Sequence, residues 1–325
     1  MTKWVVFAHG DSDGVASAAL ATAFLRKKDS DVEVIFTHPA GLFSDLREFT
    51  RDNKNVVIVD IALSELHFNE IIDLLGEIGK RSTIVYIDHH PLLEYSKITM
   101  TNSIQWIHDT CCSASELTYR FFESQGLDED YSRVALYGAI GDYLDETTWV
   151  KKELDKWDKR AVYLEAGLLI QGLEGARRDY EFKRMIVEHL SYNKLPSTMS
   201  LLVERALKQA VEDEYLRLWV KKSVKKHENT AYVINPPGSI GRAANYARVY
   251  GESSVGIAIE ERRDIYVLSL RGKQGLDLNK ILRELSRKMG INGGGHPRAA
   301  GARLKKEQFH LFLELLNQLV VSMKE

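Results

Sequence analysis

Trp4-Val5-Val6-Phe7-Ala8-His9-Gly10-Asp11-Ser12-Asp13-Gly14 runs from five apolar residues straight into a turn of ligand-type side chains. The apolar part has strand length, and Val15–Leu25 behind the turn carries apolar residues at helical spacing. The same alternation continues outward. Val32–Thr37, Val56–Val59 and Thr83–Ile87 read as strands, and Leu66–Ile78 reads as a helix between the last two. Strand–helix alternation predicts an α/β fold whose mainly parallel sheet is flanked by helices. In such sheets ligands sit beyond the carboxyl ends of the strands, so the residue that follows each strand is the informative one.

From about residue 113 to 226 the pattern is almost wholly helical. Val203, Leu207, Val211, Tyr215 and Leu218 recur every three or four residues, which predicts a helix packed on something. It ends in Lys221-Lys222-Ser223-Val224-Lys225-Lys226, read as a solvated helix end in preference to a nucleic-acid path. Strand-like runs return at Thr230–Ile234, Val255–Ile259 and Ile265–Leu270, followed by a helix (Leu278–Met289), a Gly-rich turn and a helix over Glu307–Val321. These shifts predict an N-terminal domain over 1–190, a helical connector over 191–227 and a smaller C-terminal α/β domain over 228–325.

With 325 residues, 44% hydrophobic and 28% charged, the chain has the composition of a folded globular protein, which excludes a disordered, collagen-like or coiled-coil chain. No apolar run approaches the roughly 18 residues of a membrane span, and the start does not resemble a signal peptide. A net charge of −2 argues against a surface that coats nucleic acid but leaves room for a local basic groove. The adjacent Cys111 and Cys112 are poorly placed to pair with each other and read as small core or helix-start residues. These features predict a cytoplasmic protein.

The chemistry concentrates at the strand ends. His9, Asp11 and Asp13 follow the first strand, Asp60 the third, and Asp88-His89-His90 the fourth, while Asp142 stands in the helical stretch. Singly, each has an ordinary explanation: a helix cap, a turn residue, a chance pair of histidines. Three strands of one sheet all ending in such residues is a different matter. Gathered in one crevice, these carboxylates repel one another unless divalent cations compensate them, and mixed imidazole and carboxylate donors suit Mn²⁺, Zn²⁺ or Fe²⁺ better than Ca²⁺.

In that order, His9-x-Asp11-x-Asp13-Gly14, Asp60, Asp88-His89-His90 and Asp142 resemble the four motifs of the DHH phosphoesterase superfamily. Gly293-Gly294-Gly295-His296-Pro297-Arg298-Ala299-Ala300-Gly301 resembles the GGGHxxAAG signature of its DHHA1 substrate-binding domain. Many members have three residues between the first His and Asp. Here only Gly10 intervenes, a form similar to compact archaeal RecJ-like nucleases. The resemblance implies two divalent ions, Mn²⁺ with Mg²⁺ as the alternative. One is held by His9, Asp11 and a bridging Asp60, the other by Asp13, Asp60, His89 and Asp142. It further implies His90 at the substrate phosphate, Asp88 orienting a histidine, and Arg271 and His296 gripping substrate, with Gly294, Gly295, Arg298 and Arg242 as further contacts. Ser239–Asn245, around Arg242, reads equally well as a structural turn opening a helix, and Tyr246 and Tyr250 read as core.

The implied activity is metal-dependent hydrolysis of single-stranded DNA or RNA, or of short oligonucleotides, to mononucleotides, in the 3′–5′ direction, with no covalent enzyme intermediate. The alternatives are a small-substrate enzyme acting on pAp, dinucleotides or cyclic-di-AMP, and a non-catalytic replication or repair scaffold. The retained ligands speak against the scaffold. A homo-oligomer and a replication or repair partner remain open on the sequence.

Overall fold

The computed structural model describes residues 2–64, 67–92 and 104–322. The chain divides into two units, Met1–Gln209 and Ala210–Glu325. The first half of unit one runs β1 (Thr2–Ala8), α1 (Ser12–Lys27), β2 (Ser30–Phe36), α2 (Leu42–Phe49), β3 (Asn55–Val59), α3 (Phe68–Gly79), β4 (Ile84–Asp88) and β5 (Ile104–His108). The strands form one parallel sheet in the order β2-β1-β3-β4-β5. The predicted start of α3, Leu66, lies outside the described residues.

Period-two alternation assigns the two faces. Val6, Ala8, Val57, Val59, Val85 and Ile87 point into one core, and Val5, Phe7, Val56, Ile58, Ile84 and Tyr86 into the other. Both cores are lined by buried apolar residues, which is why these strands read as continuous apolar runs. Each fully buried Val or Ile contributes roughly 1.5–3 kcal/mol relative to exposure. Leu42, Leu46, Ile71, Leu75 and Ile78 of α2 and α3 cover the second face.

The first face is covered by α1 together with α4 (Ala114–Glu123), α5 (Ser132–Gly141), α6 (Thr148–Leu154), α7 (Lys159–Ala176) and α8 (Tyr180–Ser191). Helix α1 is the hub. Its stretch from Val15 to Leu25, rich in Ala, is buried on every side, as expected of a helix without a polar face.

The 24-residue α9 (Ser200–Ser223) leads out of unit one and into unit two. There follow β6 (Lys225–His227), β7 (Thr230–Ile234), α10 (Ile240–Tyr250), β8 (Val255–Arg262), β9 (Ile265–Gly272), α11 (Leu278–Met289), β10 (Asn292–Gly295), β11 (Ala299–Lys305) and α12 (Phe309–Ser322). The sheet order is β10-β11-β9-β8-β7-β6, with only β7 and β8 parallel. Helices α11 and α12 close one core, and α10 with the end of α9 closes the other.

Three expectations are corrected. The Gly-rich turn is in fact strand for Gly293, Gly294 and Gly295, which pair with Ala302, Gly301 and Ala300. The turn itself is His296-Pro297-Arg298, closed by His296 N–H donating to Ala299 O at 2.8 Å. The stripe of α9 is not packed: Leu207, Val211, Tyr215 and Leu218 are exposed, and Leu202, Ala206, Leu216 and Val220 form the buried face. Cys112 is buried but Cys111 is exposed. Tyr246 and Tyr250 are half-buried beside the α10 core.

Candidate metal centre

Sheet register places the ligand-type residues abreast. Ala8 pairs with Val59 and Val59 with Ile87, so the next residue on each strand, His9, Asp60 and Asp88, falls at one level along three neighbouring strands. This is the carboxyl edge, beside the point where the strand order turns back at β1. Asp60 takes the left-handed conformation, φ 58°, uncommon for a residue with a side chain. Two contacts hold it there. Its N–H donates to Ile87 O at 3.0 Å, and the buried Tyr86 hydroxyl donates to Ile61 O at 2.6 Å.

The turn after β1 does two jobs. Asp11 caps α1, its Oδ1 accepting from Gly14 N–H at 3.0 Å, while its Oδ2 lies 2.8 Å from His9 Nδ1. Asp13 is buried, and its oxygens accept from the N–H groups of Ala114 (2.7 Å) and Ser115 (2.9 Å), the first turn of α4. Two helix N-termini thus face the crevice and favour negative charge in it. Each carboxylate oxygen keeps a second lone pair.

Three groups of donors assemble, each with ligand atoms within 4.8 Å of one another: His9, Asp11 and Asp60; Asp13, His89 and Asp142; Asp60, Asp88 and His90. Asp60 joins the first two groups, because its Oδ1 is 3.3 Å from His89 Nε2 and its Oδ2 is 3.8 Å from His9 Nδ1. His89 Nε2 also lies 3.6 Å from Asp142 Oδ2 and 3.8 Å from Asp13 Oδ2. Asp88 grips His90 twice, at the ring Nδ1 (2.8 Å) and at the backbone N–H (3.3 Å). A carboxylate only accepts, so the proton of that pair sits on Nδ1.

The electrostatics are those of a crowded acid site. Burial, then the charges of Asp11, Asp13, Asp142 and Asp88, push Asp60 well above the usual carboxylate range. Burial also raises Asp13 against the pull of His89, and burial lowers His89. At Asp88 burial works upward, but the His90 charge and hydrogen bond outweigh it and hold the carboxyl low. Asp60 Oδ2 is buried and has no hydrogen-bond partner among the described residues. An orphaned oxygen amid carboxylates and imidazoles is what a divalent cation satisfies, so the donor set fits one.

Helix α5 delivers Asp142 from its C-terminal end. It can do so because Gly138 and Gly141 let it press on the turn: a Cβ at Gly138 would stand 2.3 Å from Ser115 Oγ and 2.7 Å from Asp13 Oδ1, and one at Gly141 1.9 Å from Ser12 Oγ. Two further residues belong to the crevice and carry no sequence signal as strong as the motifs. His108 ends β5 opposite Asp88, with its Nε2 2.7 Å from His90 O. Lys183 of α8, only 6% exposed, donates from Nζ to Gly10 O at 2.5 Å and feels the charge of Asp11.

The other predicted contacts lie in unit two. Arg271, at the end of β9, donates from Nη1 to Ser269 Oγ (3.2 Å) and Leu270 O (3.0 Å) and pairs in register with Ala299, beside the His296–Arg298 turn. Its Nη2 abuts Gly241 in the first turn of α10. A guanidinium at a helix N-terminus suits an anion. Gly295 N–H is taken by Asn279 Oδ1 at 3.2 Å. His296 is half-buried and Arg298 exposed. Arg242 is engaged by Asp213 of α9, and Ser239 caps α10 with its Oγ accepting from Arg242 N–H at 3.4 Å. Ser239–Asn245 therefore does open a helix.

Residues 3–141 match the DHH family, N-terminal domain, and residues 230–322 match the DHHA1 domain. The chain belongs to the DHH/DHHA1 phosphoesterase superfamily. Members of this superfamily are phosphoric ester hydrolases. No curated protein matches the sequence. Among solved structures, this DHH/DHHA1 chain is similar to RecJ in complex with Mn²⁺ from Thermus thermophilus, with a TM-score of 0.71, 14% identity, and coverage of 98% of this chain and 52% of that one. It thus spans about half the length of that RecJ. It is also similar to the DHH domain of a member of the s1p family of ribosomal proteins (TM-score 0.69, 16% identity, 98% of this chain and 86% of that). A third similar structure is the pGpG-specific phosphodiesterase PggH of Vibrio cholerae (TM-score 0.59, 14% identity, 99% of both chains). At these identities the likeness is one of fold. No helix among the described residues is long and apolar enough to cross a membrane.

Proposed function

We propose that this DHH/DHHA1 protein is a metal-dependent phosphodiesterase that hydrolyses single-stranded nucleic acid or short oligonucleotides to mononucleotides, in the 3′–5′ direction. The observation that carries the reading is Asp60, a buried carboxylate that joins His9–Asp11 to Asp13–His89–Asp142 and keeps one oxygen unsatisfied. Two divalent ions, Mn²⁺ first and Mg²⁺ second, fit this double donor set, with Asp60 shared. Such ions supply charge neutralisation and an activated water for in-line attack on phosphorus.

The chain's own residues do the rest. At His90 burial works downward, but the Asp88 charge and hydrogen bond outweigh it and raise the imidazole above its ordinary value. His90 thus serves as an imidazolium that gives its Nδ1–H to Asp88 and its Nε2–H to a non-bridging phosphate oxygen. Asp88 keeps that ring in one orientation. Arg271 and His296 hold a substrate phosphate or base, with backbone from the Gly294–Gly295 strand and the exposed Arg298 nearby. Arg242, committed to Asp213, positions the first turn of α10 and contacts substrate less directly. Two free cysteines fit a reducing, cytoplasmic setting.

A second reading is a dinucleotide or pAp-type phosphodiesterase. It is suggested by the likeness in fold to the pGpG-specific phosphodiesterase PggH. A product time course separates the two. 5′-Labelled single-stranded DNA and RNA of about two to thirty nucleotides are incubated with Mn²⁺, with Asp60→Ala alongside. A ladder shortening from the 3′ end on long strands supports the exonuclease. Cleavage limited to the shortest oligomers moves the assignment to the small-substrate enzyme. Intact substrate with Mn²⁺ and with Mg²⁺ overturns the nuclease reading and makes cyclic dinucleotides or a replication or repair scaffold the next test.

A further inference from the structure

Helix α9 buries one face and leaves another bare. Leu207, Val211, Tyr215 and Leu218 are 61%, 56%, 68% and 42% exposed. They follow one another at steps of four, four and three residues, so they form a single stripe on one continuous helix. Scattered exposed apolar residues are ordinary, but a contiguous stripe marks an interaction surface. The sequence pattern calls for a partner there, and none of the described residues covers it.

The charges at the two ends of the stripe indicate which partner. Glu204 continues it one turn before Leu207, and Lys222 continues it one turn after Leu218; both are exposed or nearly so. Neither has an ion-pair partner among the described residues. Their midpoint falls at residue 213, as does the midpoint of Val211 and Tyr215. An antiparallel copy of the same helix, related by a two-fold axis beside residue 213, therefore sets Val211 against Tyr215, Leu207 near Leu218, and Glu204 against Lys222, each twice. A surface complementary to itself under a two-fold rotation is the signature of an isologous dimer. Complementary charges flanking an apolar seam also fix its direction and register.

We infer that the protein self-associates as a two-fold dimer through antiparallel pairing of the α9 stripe, with reciprocal Glu204–Lys222 ion pairs at its ends. The inference is independent of the substrate assignment.

The test is a charge-reversal cycle on the full-length protein, read by light scattering on a sizing column and by sedimentation equilibrium. Wild type is expected to shift from monomer to dimer as concentration rises. Glu204→Lys and Lys222→Glu alone each place like charges at both ends and should weaken the dimer on the order of tenfold. The double variant restores opposite charges and should recover it. Tyr215→Asp, at a position open to solvent, should be monomeric with an unchanged circular dichroism melt. A monomeric wild type, a dimer insensitive to Tyr215→Asp, or single and double charge variants that behave alike would each overturn the inference. So would loss of single-stranded DNA affinity in Lys222→Glu with no change of mass, which would assign the lysine to a nucleic-acid path.

Discussion

Asp60 Oδ1 lies 3.3 Å from His89 Nε2, while Asp60 Oδ2, buried two bonds away, meets no donor among the described residues. One carboxylate is thus anchored at one end and open at the other. The residue is held in a left-handed backbone conformation by the strand beside it. Strain and an unsatisfied oxygen at the same position point to function over stability.

That conflict predicts a stability gain on losing the charge. Asp60 is raised well above its ordinary value, so the ion-free folded state binds more protons than the unfolded chain. The stability conferred by the protonated form is complete below the ordinary carboxylate range and is lost as pH rises through the folded value. Ion-free Asp60→Asn should therefore melt above ion-free wild type at neutral pH. Each 1 kcal/mol moves Tm by roughly 2–4 °C in a domain of this size. Mn²⁺ should raise the melting point of wild type and leave the variant nearly unmoved, with hydrolysis lost. A variant that melts lower in the absence of ions at neutral pH would refute the argument.

Asp88→Asn should separate orientation from ion binding. An amide offers one accepting oxygen where Asp88 offers two, so it cannot serve both the His90 ring Nδ1–H and the His90 backbone N–H, which should lower kcat by about 10–100-fold. Mn²⁺ content, measured by elemental analysis of the purified protein, should stay at the wild-type level. Loss of metal would place Asp88 among the ligands.

Lys183 is a built-in cation at the edge of an acidic crevice. Lys183→Met should destabilise the ion-free protein by about 1–3 kcal/mol, since Gly10 O loses its donor. Bound Mn²⁺ takes over part of the charge compensation, so the Mn²⁺-induced rise in Tm should exceed that of wild type. Equal rises would reduce Lys183 to a packing role.

Gly138→Ala adds one methyl where Ser115 and Asp13 already stand. Such overpacking costs about 1–3 kcal/mol. It also moves α5, and with it Asp142, away from His89. Thermal melting and a Mn²⁺ titration should both weaken, while Gly167→Ala, inside α7 with nothing within 4 Å of the added carbon, should leave the titration unchanged and raise the melting point through helix propensity.

The two cysteines should differ in reactivity. Burial pushes the Cys112 thiol up to about 12, with Glu116 and Asp109 adding to it, whereas Cys111 is exposed. A thiol reagent at neutral pH should label one site in the native protein, and Cys111→Ser should abolish that labelling and keep hydrolysis intact. Two labelled thiols in folded protein would contradict the burial.

The sheet was legible because its strands are buried on both faces and announce themselves as Val and Ile runs. The crevice was legible because each run stops at an Asp or His. Strand β5 was not: Ile104-Gln105-Trp106-Ile107-His108 alternates weakly and is short, and with it went His108. Lys183 escaped for a different reason. It occupies an inward helical position next to Phe182, where a lysine reads as a surface interruption and only tertiary contact reveals a Gly10 carbonyl waiting for it. The three glycines read as a turn because glycine marks turns more often than strands, yet Ala300, Gly301 and Ala302 offered them a partner edge. In α9 the period was right and the wrong face was assumed buried. Leu202, Leu216 and Val220 carry the packing, and Asp213 and Gln209 break the pattern that would have shown it.

Of the 16 residues of α1, 14 are buried, and the second of them is Asp13. The helix that carries a ligand is thus the axle on which unit one is assembled, with α4, α5 and α8 packed around it. Local fraying cannot open this corner of the crevice, because freeing Asp13 means taking the core apart. Amide protons along α1 should then leave only through global unfolding, at the slowest exchange rate in the unit. The part of the acidic turn that holds Asp13 is therefore assembled by the same event that closes the core.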